Sequence, residues 1–180
     1  KLNTKNVFSK GMFENVCLAI KVALDLNINK KTIQKTLPLL SFEGRFQYLN
    51  RGKIKKKLHK NEIIMIDGAH ATADAQNLAA YLKSIKMPKY GIWAMTKNKE
   101  PDLFIKQLKG IFKKIVTMPI ENDSNSVSAE KLYKIATKNK FKTEKSVSFA
   151  EALKKISSSE KKLIVCFGSL YNCGNTLNKN

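Results

Sequence analysis

The sequence predicts an α/β fold built on a mostly parallel sheet with helices on both faces. Short, unbroken apolar runs, which are typical of strands buried on both faces, recur between residues 62 and 167. Segments whose apolar residues recur at helical spacing lie between these runs. A regular alternation of strands and helices favours parallel pairing through crossover helices. Ligands of open α/β sheets bind at the carboxyl ends of strands, so the residues that follow each run are the first candidates for a site.

Two helices are predicted before the sheet. Apolar residues recur at helical spacing over residues 12–26, and a second short helix is expected from about Lys31 to Leu37, where Pro38 stops it. Two such helices cannot bury their apolar faces alone. They are expected to pack on the domain that follows or on something outside this chain.

A strand is predicted over residues 41–49, where Phe46 and Tyr48 alternate with polar residues. Asn50-Arg51-Gly52 is a turn signal. The basic run Lys53–Lys60 then predicts a solvated hairpin edge or loop.

The remaining elements alternate regularly along the chain. The predicted strands are 63–66, 90–95, 115–118, a short strand ahead of Ser148, and 163–167, and the predicted helices are 72–85, 101–111, 126–139, 148–157 and a last one from Leu170. Pro101 suits a first helical position, and Ser148 with Glu151 forms a capping-box pattern.

The stretch Asp67-Gly68-Ala69-His70 follows the first buried strand and is the centre of the predicted site. The carboxylate can accept hydrogen bonds from ribose hydroxyls or bind a hydrated metal, and the imidazole can donate to a phosphate or carboxylate. An ordinary Asp-Gly turn is the alternative interpretation. Polar residues also follow two other strands, at Met95-Thr96-Lys97 and Gly168-Ser169. Because the carboxyl ends of parallel strands share one edge, the three tips together favour a ligand site.

The charge of the chain is strongly positive, with 34 lysines and arginines against 14 acidic residues and a formal net charge of +20. Only Arg45 and Arg51 are arginine, the residue type that recognises bases and phosphates in a bidentate manner. The lysines are spread along the chain, apart from Lys53–Lys60, as on a solvated surface. Nucleic-acid binding is therefore an alternative function and not the preferred one.

The three cysteines, Cys17, Cys166 and Cys173, and the two histidines show no metal-ligand spacing, and an odd cysteine count fits a reducing cytoplasm. No apolar run approaches the roughly 18 residues of a membrane span, so no membrane association is expected. The chain starts with Lys1 and not with Met, and we expect it to be part of a longer protein.

Several motifs resemble one enzyme family. Glu43-Gly44-Arg45-Phe46 resembles the Pro-Gly-Arg-Phe segment that opens the C-terminal domain of Mur-type ligases, and residues 64–70 resemble their Leu-Asp-Gly-Ala-His-Asn segment. Asn98-Lys99-Glu100 and residues 165–171 are most similar to the folylpolyglutamate synthase/dihydrofolate synthase branch. The resemblance extends in order from about Gly11 onward.

The resemblance implies a Rossmann-like C-terminal domain over residues 41–180, preceded over residues 1–40 by the last helices of a central ATPase domain. It implies an ATP- and Mg²⁺-dependent carboxylate–amine ligase. Such enzymes transfer the γ-phosphoryl group of ATP to a carboxylate of dihydropteroate or folate, and the amino group of glutamate attacks the acyl phosphate. The phosphate-binding loop and magnesium ligands lie in the family's N-terminal part, so a missing N-terminal domain is an expected partner. The expected location is the cytoplasm.

The resemblance also implies roles for five residues. Arg45 is similar to the arginine that reaches the ATP phosphates, and Asp67 to the aspartate near the ribose. His70 is similar to the histidine that faces the reaction centre. Asn15 is similar to the asparagine that contacts adenine, and Ser169 lies at the strand tip near the incoming glutamate.

Three departures from the family pattern leave other functions open. Glu43 replaces proline, Ala71 replaces asparagine, and residues 11–14 lack the family's His-Gln pair. A catalytically incompetent module from a split, truncated or decaying gene is therefore one alternative. Another is a Mur ligase that adds an amino acid to a cell-wall precursor.

Overall fold

The computed structural model describes residues 3–180, which form eight α-helices and six strands. The helices are α1 Lys10–Asp25, α2 Lys30–Thr36, α3 Lys53–Lys57, α4 Thr72–Ser84, α5 Pro101–Lys106, α6 Ala129–Lys138, α7 Phe149–Ile156 and α8 Leu170–Asn178. The strands are β1 Gln47–Tyr48, β2 Glu62–Asp67, β3 Lys89–Trp93, β4 Lys114–Thr117, β5 Thr143–Lys145 and β6 Lys162–Phe167. No helix formed by these residues combines the length and apolar character needed to cross a membrane.

The chain forms two compact units, the first ending at Glu43 and the second beginning at Gly44. The first unit contains α1, α2 and a 3₁₀ turn over Leu37–Leu39. Pro38 lies inside that turn, where it needs no intrahelical hydrogen bond. The assignment of residues 1–40 to a central ATPase domain stays a prediction.

The second unit is a six-stranded sheet in the order β1-β2-β6-β3-β4-β5. β1 is antiparallel to β2, and the other pairs are parallel. Asp67, Phe167 and Trp93 lie side by side in the register of β2, β6 and β3. The residues that follow these three strands therefore share one edge, which confirms the sequence prediction.

The sheet separates two apolar layers because alternate side chains of a strand point to opposite faces. On one face, Ile66, Ile92 and Cys166 belong to a buried cluster with Phe149 of α7 and Cys173 of α8. The mixed, mostly parallel sheet with helices on both faces is the fold class that the sequence predicts.

The amino-terminal edge of the sheet is held by a buried ion pair. Glu62 and Lys162, the first residues of β2 and β6, lie 3.7 Å apart with almost no exposure. Glu62 also accepts hydrogen bonds from Ser158 N–H and Ser157 Oγ at 2.8 Å, and Lys162 Nζ lies 4.6 Å from the Tyr90 ring centroid. Buried charges are tolerated when paired and hydrogen-bonded in this way.

Two sequence predictions about residues 41–60 are wrong. The basic run is not a hairpin edge, because Lys53–Lys57 form α3, whose Ile54 is buried. The strand predicted over residues 41–49 is reduced to Gln47–Tyr48, because Phe46 has a left-handed backbone with φ +46°. A left-handed residue cannot continue an extended strand.

Candidate active site

At the carboxyl edge, the helices that follow β3 and β6 leave these neighbouring strands toward opposite faces of the sheet. α5, which follows β3, stacks Phe104 on Trp93 and on Phe167. α8, which follows β6, places Cys173 in the buried cluster of the opposite face with Cys166. Adjacent strands with diverging connections form the crevice in which ligands of open α/β sheets bind.

Asp67 joins the turn after β2 to the segment before β1. The residue is 2% exposed. Its Oδ2 accepts a hydrogen bond from Phe46 N–H at 2.8 Å, and its Oδ1 accepts one from Ala69 N–H at 2.8 Å. Burial raises the pKa of Asp67 to about 6, although the two hydrogen bonds and the nearby Arg45 charge act in the opposite direction.

Hydrogen bonds fix the backbone beside Arg45, whereas its guanidinium group has no hydrogen-bond partner among residues 3–180. The adjacent Gly44 donates its N–H to Gln47 Oε1 at 2.8 Å and accepts Gly68 N–H at 2.6 Å. The half-buried guanidinium makes no hydrogen bond or ion pair with any residue in 3–180. A Cβ added to Gly68 would lie 2.3 Å from Leu170 Cδ2 and 3.2 Å from Arg45 Nη1, so glycine at this position leaves space for both side chains.

His70 is held in one tautomer by the turn. Its Nδ1 lies 2.7 Å from Gly68 O, and a carbonyl oxygen can only accept, so Nδ1 carries the proton. In the neutral ring the lone pair is then on Nε2. The side chain is 27% exposed, and Asp74 Oδ2 lies 3.8 Å from Nδ1. His70 is thereby oriented to accept a proton or a hydrogen bond at Nε2.

The amino terminus of α4 follows His70 directly. Asp74 Oδ2 accepts hydrogen bonds from His70 N–H at 3.2 Å and Ala71 N–H at 3.3 Å. The N-cap residue is Ala71, whose side chain cannot accept a hydrogen bond from the first turn. The first turn of α4 therefore has no side-chain cap from residue 71.

The turn after β6 is built on Gly168 and Ser169. Gly168 has φ +105°, and a Cβ there would lie 2.3 Å from Ala94 O. Ser169 is 2% exposed, and its Oγ caps α8 by accepting Tyr171 N–H at 3.1 Å. The structure thus gives Ser169 a capping contact at the expected strand tip, and its contact with glutamate stays a prediction.

The residues that follow β3 are tied to the loop after β4. Thr96 Oγ1 donates to Asn98 Oδ1 at 2.8 Å, and Lys97 Nζ donates to Ser124 O at 2.7 Å. A polar cavity of about 420 Å³ lies at this part of the sheet, and its lining includes Glu121, Asn122, Asp123, Asn125, Tyr171 and Asn175. The edge therefore offers polar groups well beyond the turn after β2.

Asn15 belongs to the first unit, whereas the other four predicted site residues belong to the second. It is exposed on α1 and borders a mainly apolar cavity of about 290 Å³ within that unit. The predicted contact of Asn15 with adenine therefore does not depend on the cluster of residues around Asp67.

Aromatic residues that the sequence motifs do not indicate as a group support this cluster. The Phe46 and Tyr81 rings meet edge to face, with centroids 4.9 Å apart. Tyr81 and Tyr48 share a hydroxyl hydrogen bond of 2.8 Å. Trp93 Nε1 is buried without a hydrogen-bond partner among residues 3–180. Only the Phe46 position, within the Glu43–Phe46 motif, carried a signal.

The residues of 3–180 contain no group of three or more His, Cys, Asp or Glu side chains that could hold a metal ion. Asp67, the carboxylate considered for a hydrated metal, belongs to no such group among these residues. The donor set at this edge therefore does not fit a magnesium site.

Comparison with protein families gives a match over most of the chain. A model of the C-terminal domain of dihydrofolate synthetase matches residues 50–179. No curated protein matches the chain.

Comparison with solved structures gives the same fold. The chain is similar to Mycobacterium tuberculosis folylpolyglutamate synthase complexed with ADP and AMPPCP, with a TM-score of 0.81, 16% identity, and coverage of 99% of this chain and 42% of that chain. It is similar to E. coli FolC in complex with DHPP and ADP, with a TM-score of 0.75, 16% identity, and coverage of 98% and 40%. For Thermotoga maritima folylpolyglutamate synthase the TM-score is 0.70, the identity 21%, and the coverage 94% and 38%. The chain spans about two fifths of these proteins.

Proposed function

The chain belongs to the dihydrofolate synthetase C-terminal domain family, and from this premise we propose that it is the C-terminal portion of an ATP-dependent ligase that adds glutamate to dihydropteroate or folate. The observation that carries the proposal is the arrangement of Arg45 over the turn after β2. Gly44 O accepts Gly68 N–H, and Phe46 N–H donates to Asp67, so the backbone is bound on both sides of Arg45. The guanidinium itself keeps all of its donors for a ligand.

The residues of this edge fit the phosphate and ribose groups of ATP. A planar guanidinium with no internal partner is suited to bidentate contact with phosphate oxygens. Each oxygen of Asp67 accepts one backbone hydrogen bond and keeps acceptor capacity for a ribose hydroxyl. ATP supplies the phosphoryl group that activates the carboxylate, and Arg45 supplies positive charge near the phosphates. Magnesium ligands are assigned to the rest of the ligase.

His70 is proposed to act on the incoming amino group. Because Nδ1–H is bound to Gly68 O, Nε2 is the nitrogen able to accept a proton from an ammonium group. Ser169 and Asn15 complete the proposed set, near glutamate and adenine respectively. The proposed reaction depends mainly on positioning and on charge stabilisation.

A catalytically incompetent module is a second candidate. It is favoured by Ala71, which lies beside His70 and has no side-chain group that could cap α4. Catalysis by the natural polypeptide that contains this chain tests it. Glutamate-dependent ADP release would rule out incompetence, and its absence from a folded polypeptide would support it.

The experiment for the ligase uses the natural polypeptide encoded by the reading frame that contains this chain. ADP release should require glutamate together with dihydropteroate or tetrahydrofolate, and a cell-wall precursor should not replace the pterin substrates. Arg45→Ala and Asp67→Ala should each lower kcat/KM by about 10²-fold, as expected when a charge-stabilising or positioning group is lost.

Arg51→Ala is the matched control, because Arg51 is the other arginine of the sequence and lies exposed away from the turn. Its activity should stay within about twofold of the parent. If Arg45→Ala behaves like Arg51→Ala, the proposed site is wrong.

A further inference from the structure

The backbone on both sides of Arg45 is left-handed. Gly44 has φ +68° and Phe46 has φ +46°. The left-handed region is sterically unfavourable for a residue with a side chain, and it is rare for a bulky residue. Phe46 therefore occupies this conformation only because its surroundings impose it.

Two contacts of Phe46 involve Tyr81 and Asp67. Its ring is 4% exposed and meets the Tyr81 ring edge to face, with centroids 4.9 Å apart and an interplanar angle of 74°. Its N–H donates to Asp67 Oδ2 at 2.8 Å. Edge-to-face aromatic pairs are stabilising beyond the burial of their area, so this pair opposes the cost of the left-handed backbone.

Tyr81 is itself fixed by a second contact. Its hydroxyl shares a 2.8 Å hydrogen bond with the hydroxyl of Tyr48. Tyr48 lies in β1 and pairs with Met65 of β2. The Tyr81 ring is therefore anchored both by its own helix, α4, and by the edge of the sheet.

We propose that Tyr81 is a positioning residue for Arg45: its ring holds Phe46 in the left-handed conformation that directs the guanidinium over the Asp67–Gly68 turn. The inference rests on the proposed function of Arg45. Without the ring, Phe46 relaxes toward an ordinary conformation, and the direction of the neighbouring Arg45 side chain changes with it. A displacement of about 1 Å in a charge-stabilising group can cost about 10²-fold in rate.

The first test needs no activity and uses the 180-residue chain. In Tyr81→Leu the Phe46 amide should exchange with solvent at least tenfold faster, because its hydrogen bond to Asp67 opens more often. Tyr81→Phe keeps the ring and should change the exchange rate by less than about threefold. Tyr133→Leu, on α6, is the matched control for loss of a half-buried tyrosine and should leave the Phe46 amide unchanged.

The second test uses ligase kinetics of the natural polypeptide. Tyr81→Leu should lower kcat/KM for ATP by about 10–10²-fold in the parent, but by less than about threefold when Arg45 is already alanine. Tyr81→Phe should retain most of the activity. Should Tyr81→Leu fail to fold, Phe46→Leu removes the other ring of the pair and is expected to give the same pattern.

The outcomes separate the inference from the proposed function. If the residue 46 amide exchanges at the parent rate in both Tyr81→Leu and Phe46→Leu, the positioning role of Tyr81 is wrong, whatever the role of Arg45. Equal losses of activity with and without the Arg45 side chain also overturn it. If the Phe46 amide exchanges faster in Tyr81→Leu but Arg45→Ala leaves the ligase activity unchanged, the proposed role of Arg45 is wrong. The inference about Tyr81 is then wrong with it.

Discussion

Asp67 links the stability of the turn to pH. The carboxylate is almost completely buried, and two backbone N–H groups do not fully compensate for its desolvation. Burial therefore raises the pKa of Asp67 from 3.8, the ordinary value that applies to the unfolded chain, to about 6 in the folded protein. A raised folded-state pKa means that the folded protein binds the proton more tightly than the unfolded chain does. Asp67 thus makes the protein less stable as the pH rises through this window.

Asp67→Asn should remove this pH dependence. A shift from 3.8 to about 6 corresponds to about 3 kcal/mol in the free energy of unfolding. Relative to the variant, the parent should lose about this amount between pH 4 and pH 6, because only the parent must ionise a buried group. Urea unfolding at several pH values gives the measurement.

Asp102→Asn is a control for which the opposite pH dependence of stability is expected. Hydrogen bonds from Lys106 and Asn139 lower the pKa of Asp102, so its contribution to stability is present above about pH 4 and is lost as the pH falls. If the stability difference between the parent and Asp67→Asn is the same at pH 4 and pH 7, the buried carboxylate does not titrate as described.

The sequence predicts the residues of the site but not the residues that hold them in position. Asp67, His70 and Arg45 stand in local motifs beside a strand, which made them candidates. Tyr81 is 35 positions from Phe46, and no local pattern links the two rings. The left-handed backbone of Phe46 is likewise set by tertiary contacts, since propensity alone would place a phenylalanine in a strand.

Among the elements, the buried strands were the easiest to predict. β2 and β6 are apolar over nearly their whole length because both faces are covered, and such runs have few alternative interpretations. α3 was missed for the opposite reason. Four of its five residues are lysine, so Ile54 alone marks its buried side. A five-residue helix also has too few turns to show a period.

α3 depends on a cap from a distant part of the chain. Its N-cap is Gly52, which has no side chain to accept a hydrogen bond. Asn180 takes that place, since its main-chain oxygen accepts Lys53 N–H at 2.6 Å and its Oδ1 accepts Ile54 N–H at 3.2 Å. Its Nδ2 also donates to Arg51 O at 3.0 Å. α3 is therefore coupled to the segment that follows α8.

Asn180→Ala should destabilise the protein by about 1 kcal/mol, the usual cost of losing a helix N-cap. The midpoint of urea unfolding measures the effect. Asn178→Ala is the matched control, because Asn178 is exposed at the end of α8 and should change stability by less than about 0.5 kcal/mol. Equal effects of the two substitutions would show that the cap does not stabilise α3.

At the scale of the whole molecule, the two units differ in how completely they bury their apolar residues. β6 is buried at every position, whereas Val16 is the one buried residue of α1. Leu18 of α1 is 65% exposed, and Phe13 and Val22 are also largely exposed. A helix that is apolar on several sides is typical of the interior of a larger body. This observation supports the proposal that residues 1–40 belong to a central ATPase domain.

Hydrogen exchange should reveal this difference directly. In the 180-residue chain the amides of α1 should exchange orders of magnitude faster than those of β2 and β6, because few apolar contacts oppose the opening of α1. In the natural polypeptide encoded by the same reading frame, α1 should become protected once the rest of a ligase covers Leu18 and Val22. The α6 amides should show the same protection in both proteins, since Leu132 and Ala136 are already buried in the shorter one. If α1 is as protected as β6 in the 180-residue chain, its apolar surface needs no further domain, and the proposed assignment of residues 1–40 to a central ATPase domain is wrong.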